Sequence, residues 1–167
     1  MNIRQLKILL VDDDTDDCLF FKEALEELQL TSELKTMHDG EQLMQYLINE
    51  VRSQNIISLL PDVLFLDINM PRKNGKECLD EIKNHSKLKY FPVIMFSTSY
   101  EKEMVNLLYK NGAHYFIRKP PEFLIFKKVI QQTLALIAQE LSAAGTGIIL
   151  QPPRKKFVLT VQNSLIE

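Results

Sequence analysis

Four short apolar runs in this sequence each stop at a residue able to bind an ion or form a bond. Ile8-Leu9-Leu10-Val11 stops at Asp12-Asp13, and Val63-Leu64-Phe65-Leu66 stops at Asp67. Val93-Ile94-Met95-Phe96 stops at Ser97-Thr98, and Tyr115-Phe116-Ile117 leads through Arg118 to Lys119-Pro120. If these runs are strands of one sheet, three carboxylates, a hydroxyl and an ammonium converge at one edge. Carboxylates so grouped repel one another and call for a cation. An all-oxygen set on a rigid sheet edge suits Mg²⁺, which keeps several waters and takes one or two carboxylates. A divalent ion would hold Asp67 ionised and nucleophilic and would offset charge on an incoming phosphoryl group. Carboxylates act as covalent nucleophiles, and an aspartyl phosphate is one product. Lys119 would bring a point charge, and Ser97 a hydrogen bond, to phosphoryl oxygens.

Taken singly, each of these residues has an ordinary use. Asp12 to Asp14 can cap a helix, Ser97 can close a turn, and Asp67 and Lys119 can be solvated charges. Their order along the chain, each at a strand end, is what joins them into one site.

The elements that must position them follow from hydrophobic spacing. After the first strand, Lys7 to Val11, the acids precede a helix with Phe20, Ala24 and Leu28 on one face. Glu33 to His38 reads as a second strand, Asp39-Gly40 as a turn, and Leu43, Leu47 and Val51 as the next helix face. The central strand is Asp62 to Asp67, and the segment Ile56 to Leu60 before it carries no clear period. A loop at Asn69 to Gly75 leads to a helix with Cys78, Leu79 and Ile82. The strand Val93 to Phe96 follows, then a helix from about Glu101 to Lys110, stopped by Asn111-Gly112. His114 to Arg118 is the fifth strand. Pro121-Glu122 opens a long helix with Phe126, Ile130, Leu134, Ile137 and Leu141 on one side. Strands alternating with helices argue an α/β fold, a parallel sheet covered on both faces. One common solution is the flavodoxin-like order 2-1-3-4-5, which puts a site at the carboxyl ends of the first and third strands.

The composition is that of a globular protein: 167 residues, 46% hydrophobic, 25% charged, net charge -2. That balance gives no pull toward nucleic acid or a membrane, and no run approaches the ~20 apolar residues of a membrane span. The first residues lack a signal-peptide pattern. Cys18 and Cys78 show neither metal-ligand spacing nor a disulfide framework, in keeping with two half-buried or buried thiols and a cytoplasmic setting.

The set Ile8-Leu9-Leu10-Val11-Asp12-Asp13, Leu66-Asp67-Ile68-Asn69-Met70-Pro71, Phe96-Ser97-Thr98 and Lys119-Pro120 resembles the response-regulator receiver domain of two-component signalling. The resemblance covers roughly residues 5–141. It implies a flavodoxin-like (βα)5 fold, a doubly wound parallel five-stranded sheet, and phosphotransfer from a histidine kinase or histidine phosphotransfer protein. Asp67 would accept the phosphoryl group, and Asp12 and Asp13 would form the acid pocket, Asp13 being the more direct Mg²⁺ ligand. The Asn69 backbone carbonyl would complete the protein's share of coordination. Ser97 would be the switch hydroxyl, Phe116 the switch aromatic, and Lys119 the phosphate-binding lysine. The family usually holds the Lys-Pro bond cis, so Lys119-Pro120 is expected cis. Thr98, bulkier than the family's frequent alanine, would narrow access to the site.

The resemblance also frames the output. Residues 1–141 are read as the receiver, and 142–167 as a linker with an arm or tail. Ser142-Ala143-Ala144-Gly145-Thr146-Gly147 reads as flexible chain, and Ile148 to Leu150 and Phe157 to Val161 as short β-type runs. This tail is too short for a DNA-binding output domain, and Arg154-Lys155-Lys156 reads as a solvated turn. The expected protein is a stand-alone receiver without direct nucleic-acid binding, acting on a downstream protein through the face of the fourth helix, fifth strand and fifth helix. Tyr100, Tyr109, Tyr115, Phe116 and Lys127 lie in those segments. The β-type runs could pair with a sheet edge in the same or a neighbouring chain, the latter giving a homodimer through residues 142–167. On this reading the chain is a self-modifying switch with slow autodephosphorylation and no enzymatic turnover beyond it. The alternatives are a binding scaffold independent of phosphorylation and a Mg²⁺ phosphohydrolase. The second would want an acid two residues after Asp67, where Asn69 stands.

Overall fold

The computed structural model describes residues 5–28, 32–53, 60–145 and 148–161. The elements in order are β1 (Leu6–Val11), α1 (Thr15–Glu26), β2 (Ser32–Met37), α2 (Gly40–Arg52) and β3 (Val63–Asp67). They continue as α3 (Gly75–Asn84), β4 (Val93–Ser97), α4 (Lys102–Lys110), β5 (Tyr115–Arg118), α5 (Phe123–Ala144) and β6 (Val158–Leu159), with a 3-10 turn at Arg154–Lys156. Most of the segment Ile56 to Leu60 lies outside the described residues. None of the helices described is long and apolar enough to cross a membrane.

The strands form one parallel sheet in the order β2-β1-β3-β4-β5-β6. The expected order holds for the first five strands, and the tail adds a sixth. Strand periodicity explains the two layers. Leu9, Val11, Leu64, Leu66, Val93 and Met95 face α2, α3 and α4, while their neighbours Ile8, Leu10, Val63, Phe65, Ile94 and Phe96 face α1 and α5. β3 and β4 are buried on both sides. Their near-continuous apolar sequence follows from that, as does the exposure of alternate residues on the edge strand β2.

The C-terminal part departs most from expectation. α5 runs through Ala144, so the segment read as linker from Ser142 is helical for its first turn. Gly145 then ends the helix with a φ of 60°. Of the two β-type runs only the second forms a strand, and it pairs with β5 of its own chain, Phe116 opposite Val158 and Ile117 opposite Leu159. The tail straddles the outer edge of the sheet. Ile149 packs into the α1–α5 layer, and Phe157 into the α2–α4 layer.

Side chains of the body hold this crossing in place. Tyr109 donates its hydroxyl to the Pro152 carbonyl at 2.9 Å, and Gln151 Nε2 donates to the Tyr109 and Ala113 carbonyls at 2.6 and 2.8 Å. The Arg154 guanidinium grips Asn106 Oδ1 through Nε and Nη2 at 2.9 and 2.7 Å. That guanidinium also lies over the Tyr109 and Phe157 rings. The basic run expected in a solvated turn thus contributes its arginine to the packing.

His114 links the tail to the core and is 4% exposed. Its Nδ1 accepts from the Val93 N–H at 3.2 Å, so its proton sits on Nε2, which donates to the Ile149 carbonyl at 3.0 Å. Burial, helped by the Lys83 ammonium and opposed by the bond to Ile149, pushes its pKa down from 6.5 to about 4. Between those values the unfolded chain binds a proton that the fold refuses, so stability is lost as pH falls through that window. From pH 7 to 4.5 the wild type is expected to lose roughly 2–3 kcal/mol more than His114→Gln. Urea unfolding at both pH values reads the difference, and parallel losses in the two proteins would rule the assignment out.

Candidate functional site

The carboxyl ends of β1, β3, β4 and β5 bring together Asp12, Asp13, Asp67, Ser97 and Lys119. Asp12, Asp67, Ser97 and Lys119 are buried at 0%, 5%, 1% and 7% exposure, and Asp13 is exposed. Asp12, Asp13 and Asp67 each offer a carboxylate oxygen within 4.8 Å of the others. Three acidic oxygens facing one small volume form a hard donor set for a divalent cation.

Local sequence explains why these acids are available. The capping role falls to Asp14, whose side chain accepts from the Asp16 and Asp17 N–H groups at 2.9 and 3.2 Å. Asp12 accepts from the Asp14 N–H at 3.0 Å, which points its other oxygen inward to Lys119. On the far side, the loop after Asp67 is clamped by a capping box between Asn74 and Glu77. Gly75 passes so close that a Cβ there would lie 2.2 Å from the Asp67 carbonyl oxygen. Its N–H donates to the Ile68 carbonyl at 2.8 Å. Glycine at that position lets α3 start directly behind the acid. Arg72, in the left-handed region at φ 66°, turns the loop toward Asp39, with Nη1 3.6 Å from its carboxylate.

Lys119 is the electrostatic centre. Its Nζ donates to Asp12 at 2.6 Å, Asp17 at 2.9 Å and Asp67 at 3.4 Å, and it lies 5.0 Å from the centre of the Phe96 ring. Burial would lower its pKa, but the surrounding carboxylates win and hold it above the ordinary lysine value. For the acids the balance reverses. Burial raises Asp12 and pushes Asp67 up to about 7 in spite of the ammonium beside them, and the mutual repulsion of the acids adds to this. A second cation would relieve that repulsion, so the residues present fit a divalent ion.

Ser97 accepts from the Ser99 N–H at 3.3 Å and shares a 3.4 Å contact with the Ser99 hydroxyl. It lines a cavity of about 60 Å³ with Asn69, Ser99, Met104, Val105 and Phe116. The Phe116 ring is buried, 5.9 Å from the Tyr100 ring at a near-perpendicular angle. Asn69 and Thr98 are exposed at the site's mouth.

Several expectations need correction. The Lys119–Pro120 bond is trans, since the described residues contain no cis peptide bond. The trans form is the intrinsically favoured one, and from it Lys119 already reaches Asp12, Asp17 and Asp67. Of the residues expected on the output face, Tyr115 and Phe116 are buried, and Tyr115 donates its hydroxyl to Glu140. Lys127 pairs with Glu27 at the end of α1, so it sits on the α1–α5 side. Asp17 escaped the sequence reading because an acid in the first turn of a helix has a sufficient explanation in the helix dipole. It stands beside a loop already crowded with acids, but nothing in the sequence separates it from Asp16.

The family model described as response regulator receiver domain matches residues 8–131. Response regulator Rcp1 of Synechocystis sp. is 32% identical over 124 residues, which are 74% of this chain and 83% of that one. The probable methanogenesis regulatory protein FilR2 of Methanothrix harundinacea is 28% identical over 126 residues, 75% and 79% of the two chains. Among solved structures, the Mn(2+)-bound form of Rcp1 superposes with a TM-score of 0.68 at 28% identity, covering 78% of this chain and 92% of the other. The phosphorylated cyanobacterial phytochrome response regulator RcpA superposes with a TM-score of 0.69 at 30% identity, covering 78% and 91%.

Proposed function

Because the chain belongs to the response regulator receiver domain family, we propose that Asp67 is its phosphoacceptor, served by Lys119 and Ser97 and by Mg²⁺ at Asp12, Asp13 and Asp67. The observation that carries this is the Asp67 carboxylate itself. It is buried at the end of the central strand, within 4.8 Å of two further acids and 3.4 Å from a buried ammonium. Bound there, Mg²⁺ would neutralise charge shared between the carboxylates and the phosphoryl oxygens. The Asn69 carbonyl is assigned as a further ligand on the family pattern.

The chain's own residues do the rest. An Asp67 oxygen attacks the phosphorus of a phosphohistidine. A P–O bond forms, the P–N bond breaks, and the departing imidazole takes a proton from solvent. Lys119 transfers a hydrogen bond from the carboxylates to one phosphoryl oxygen, and the Ser97 hydroxyl donates to another. Movement of Ser97 toward the phosphoryl group enlarges that cavity for the Phe116 ring, which is the switch. Hydrolysis of the aspartyl phosphate by water resets it slowly. The phosphoryl donor is a histidine kinase or phosphotransfer protein in the cytoplasm.

The response passes to a downstream protein through α4, β5 and α5. Residues 149–159 already cover the α4–β5 part of that face, so they belong to the surface the partner meets. A homodimer made by adding a strand at β6 would use its outer edge, because the inner edge is taken by β5.

The test is intact-protein mass after incubation with acetyl phosphate. One labile phosphoryl gain that requires Mg²⁺ is expected. A wild-type protein that binds Mg²⁺ yet never gains mass, from acetyl phosphate or from a phosphohistidine donor, would overturn the reading.

A further inference from the structure

Lys119 donates at once to Asp12 at 2.6 Å, Asp17 at 2.9 Å and Asp67 at 3.4 Å. An ammonium has three protons, so its donor capacity is filled. Two of these acceptors belong to the acid cluster suited to a divalent ion, and the third, Asp17, stands outside it. Asp17 sits in the first turn of α1, with its N–H fixed to Asp14 and its side chain 18% exposed.

We propose that Asp17 is a positioning residue for phosphoryl transfer, a standing counter-ion that lets Lys119 release Asp12 and Asp67 to the metal without becoming an unpaired buried cation. This rests on the acceptor reading of Asp67. Before metal enters, Lys119 is the cation of the cluster, and it competes with Mg²⁺ for the same two carboxylates. An ammonium at 4% side-chain exposure cannot give up both partners unless another remains, because an uncompensated buried charge is costly. Asp17 is that remaining partner. It keeps Lys119 beside Asp67 with two protons freed, one of them for a phosphoryl oxygen. Without Asp17 the ammonium stays on Asp12 and Asp67, and the metal must displace it.

The experiment is calorimetric titration of the full chain with MgCl₂, with no phosphoryl donor present. It uses wild type, Asp17→Asn, Lys119→Met and the double variant. Asp17→Asn is expected to weaken Mg²⁺ binding about ten-fold when Lys119 is present and no more than about two-fold in the Lys119→Met background, a coupling between neighbours that share one interaction. Asp16→Asn removes an exposed charge from the same turn and is expected to cost about two-fold, and Asp17→Glu to recover part of the loss. In acetyl phosphate assays the half-saturating Mg²⁺ concentration should rise for Asp17→Asn by the same factor as the loss of Mg²⁺ binding. Equal costs with and without Lys119, or with Asp16→Asn matching Asp17→Asn, would overturn the proposal. Should Lys119→Met not fold, the comparison of Asp16→Asn with Asp17→Asn decides alone. Failure of the acceptor reading would appear separately, as absence of phosphoryl gain in wild type.

Discussion

Asp67→Asn takes up no phosphoryl group from acetyl phosphate, where the wild type gains one, and it is more stable than the wild type at neutral pH. Both results come from the same carboxylate. An amide nitrogen or oxygen is too weak a nucleophile to form an acyl phosphate, and Asp12 and Asp13, though near, are committed to Lys119 and to the exposed mouth of the site. The stability effect follows from burial. Folding pushes the Asp67 pKa from 3.8 up to about 7, so the fold favours the protonated acid. Between those values the folded protein holds a proton that the unfolded chain releases, and stability falls as pH rises through that window. Asparagine has no such loss and still accepts a hydrogen bond from Lys119. Its advantage in thermal unfolding should be largest near pH 7 and above and should shrink toward pH 4. A variant that still gains a labile phosphoryl group would move the acceptor elsewhere. Equal melting at pH 7 would remove the argument that the acid is strained by burial.

Phe157→Ala is the second large effect, at about 3–5 kcal/mol of unfolding free energy. Phe157 is fully buried in the α2–α4 layer, with its ring 5.1 Å from that of Tyr109 and its carbonyl accepting from the Phe116 N–H at 3.0 Å. Truncation leaves a phenyl-sized cavity beside the backbone of the proposed switch residue, and it removes the apolar anchor that lets β6 pair with β5. Denaturant unfolding measures the loss, and limited proteolysis between 145 and 156 should accelerate in step. If the tail merely lay on the surface, the cost would stay near the few tenths typical of exposed positions.

These results bear on where output arises. In a receiver whose α4–β5 surface is bare, Phe116 and its neighbours would meet a partner directly. Here the backbone of Phe116 is already engaged by the tail, and Tyr109 and Asn106 on α4 are engaged as well. A shift in β5 on phosphorylation would be felt first by residues 149–159.

The sequence by itself determined the five βα units, their parallel pairing and the presence of Asp12, Asp13, Asp67, Ser97 and Lys119 at strand ends. Such features are local. A period of two or 3.6 and a polar stop after an apolar run are read within a dozen residues. What tertiary structure alone decided is everything that depends on contact across the chain. Lys119 meets Asp17 across 102 residues of sequence, and no spacing rule distinguishes that acid from Asp16 beside it. His114 and Ile149 carry no motif, yet together they fix where the tail crosses the sheet edge. Lys127 and Tyr115 belong to the expected output elements, but which side of an element a residue presents is set by what packs against it. The β-type runs of the tail are legible as candidates for a sheet edge in the same or a neighbouring chain, but only the free edge of β5 and the space filled by Phe157 decide that the second run pairs within its own chain.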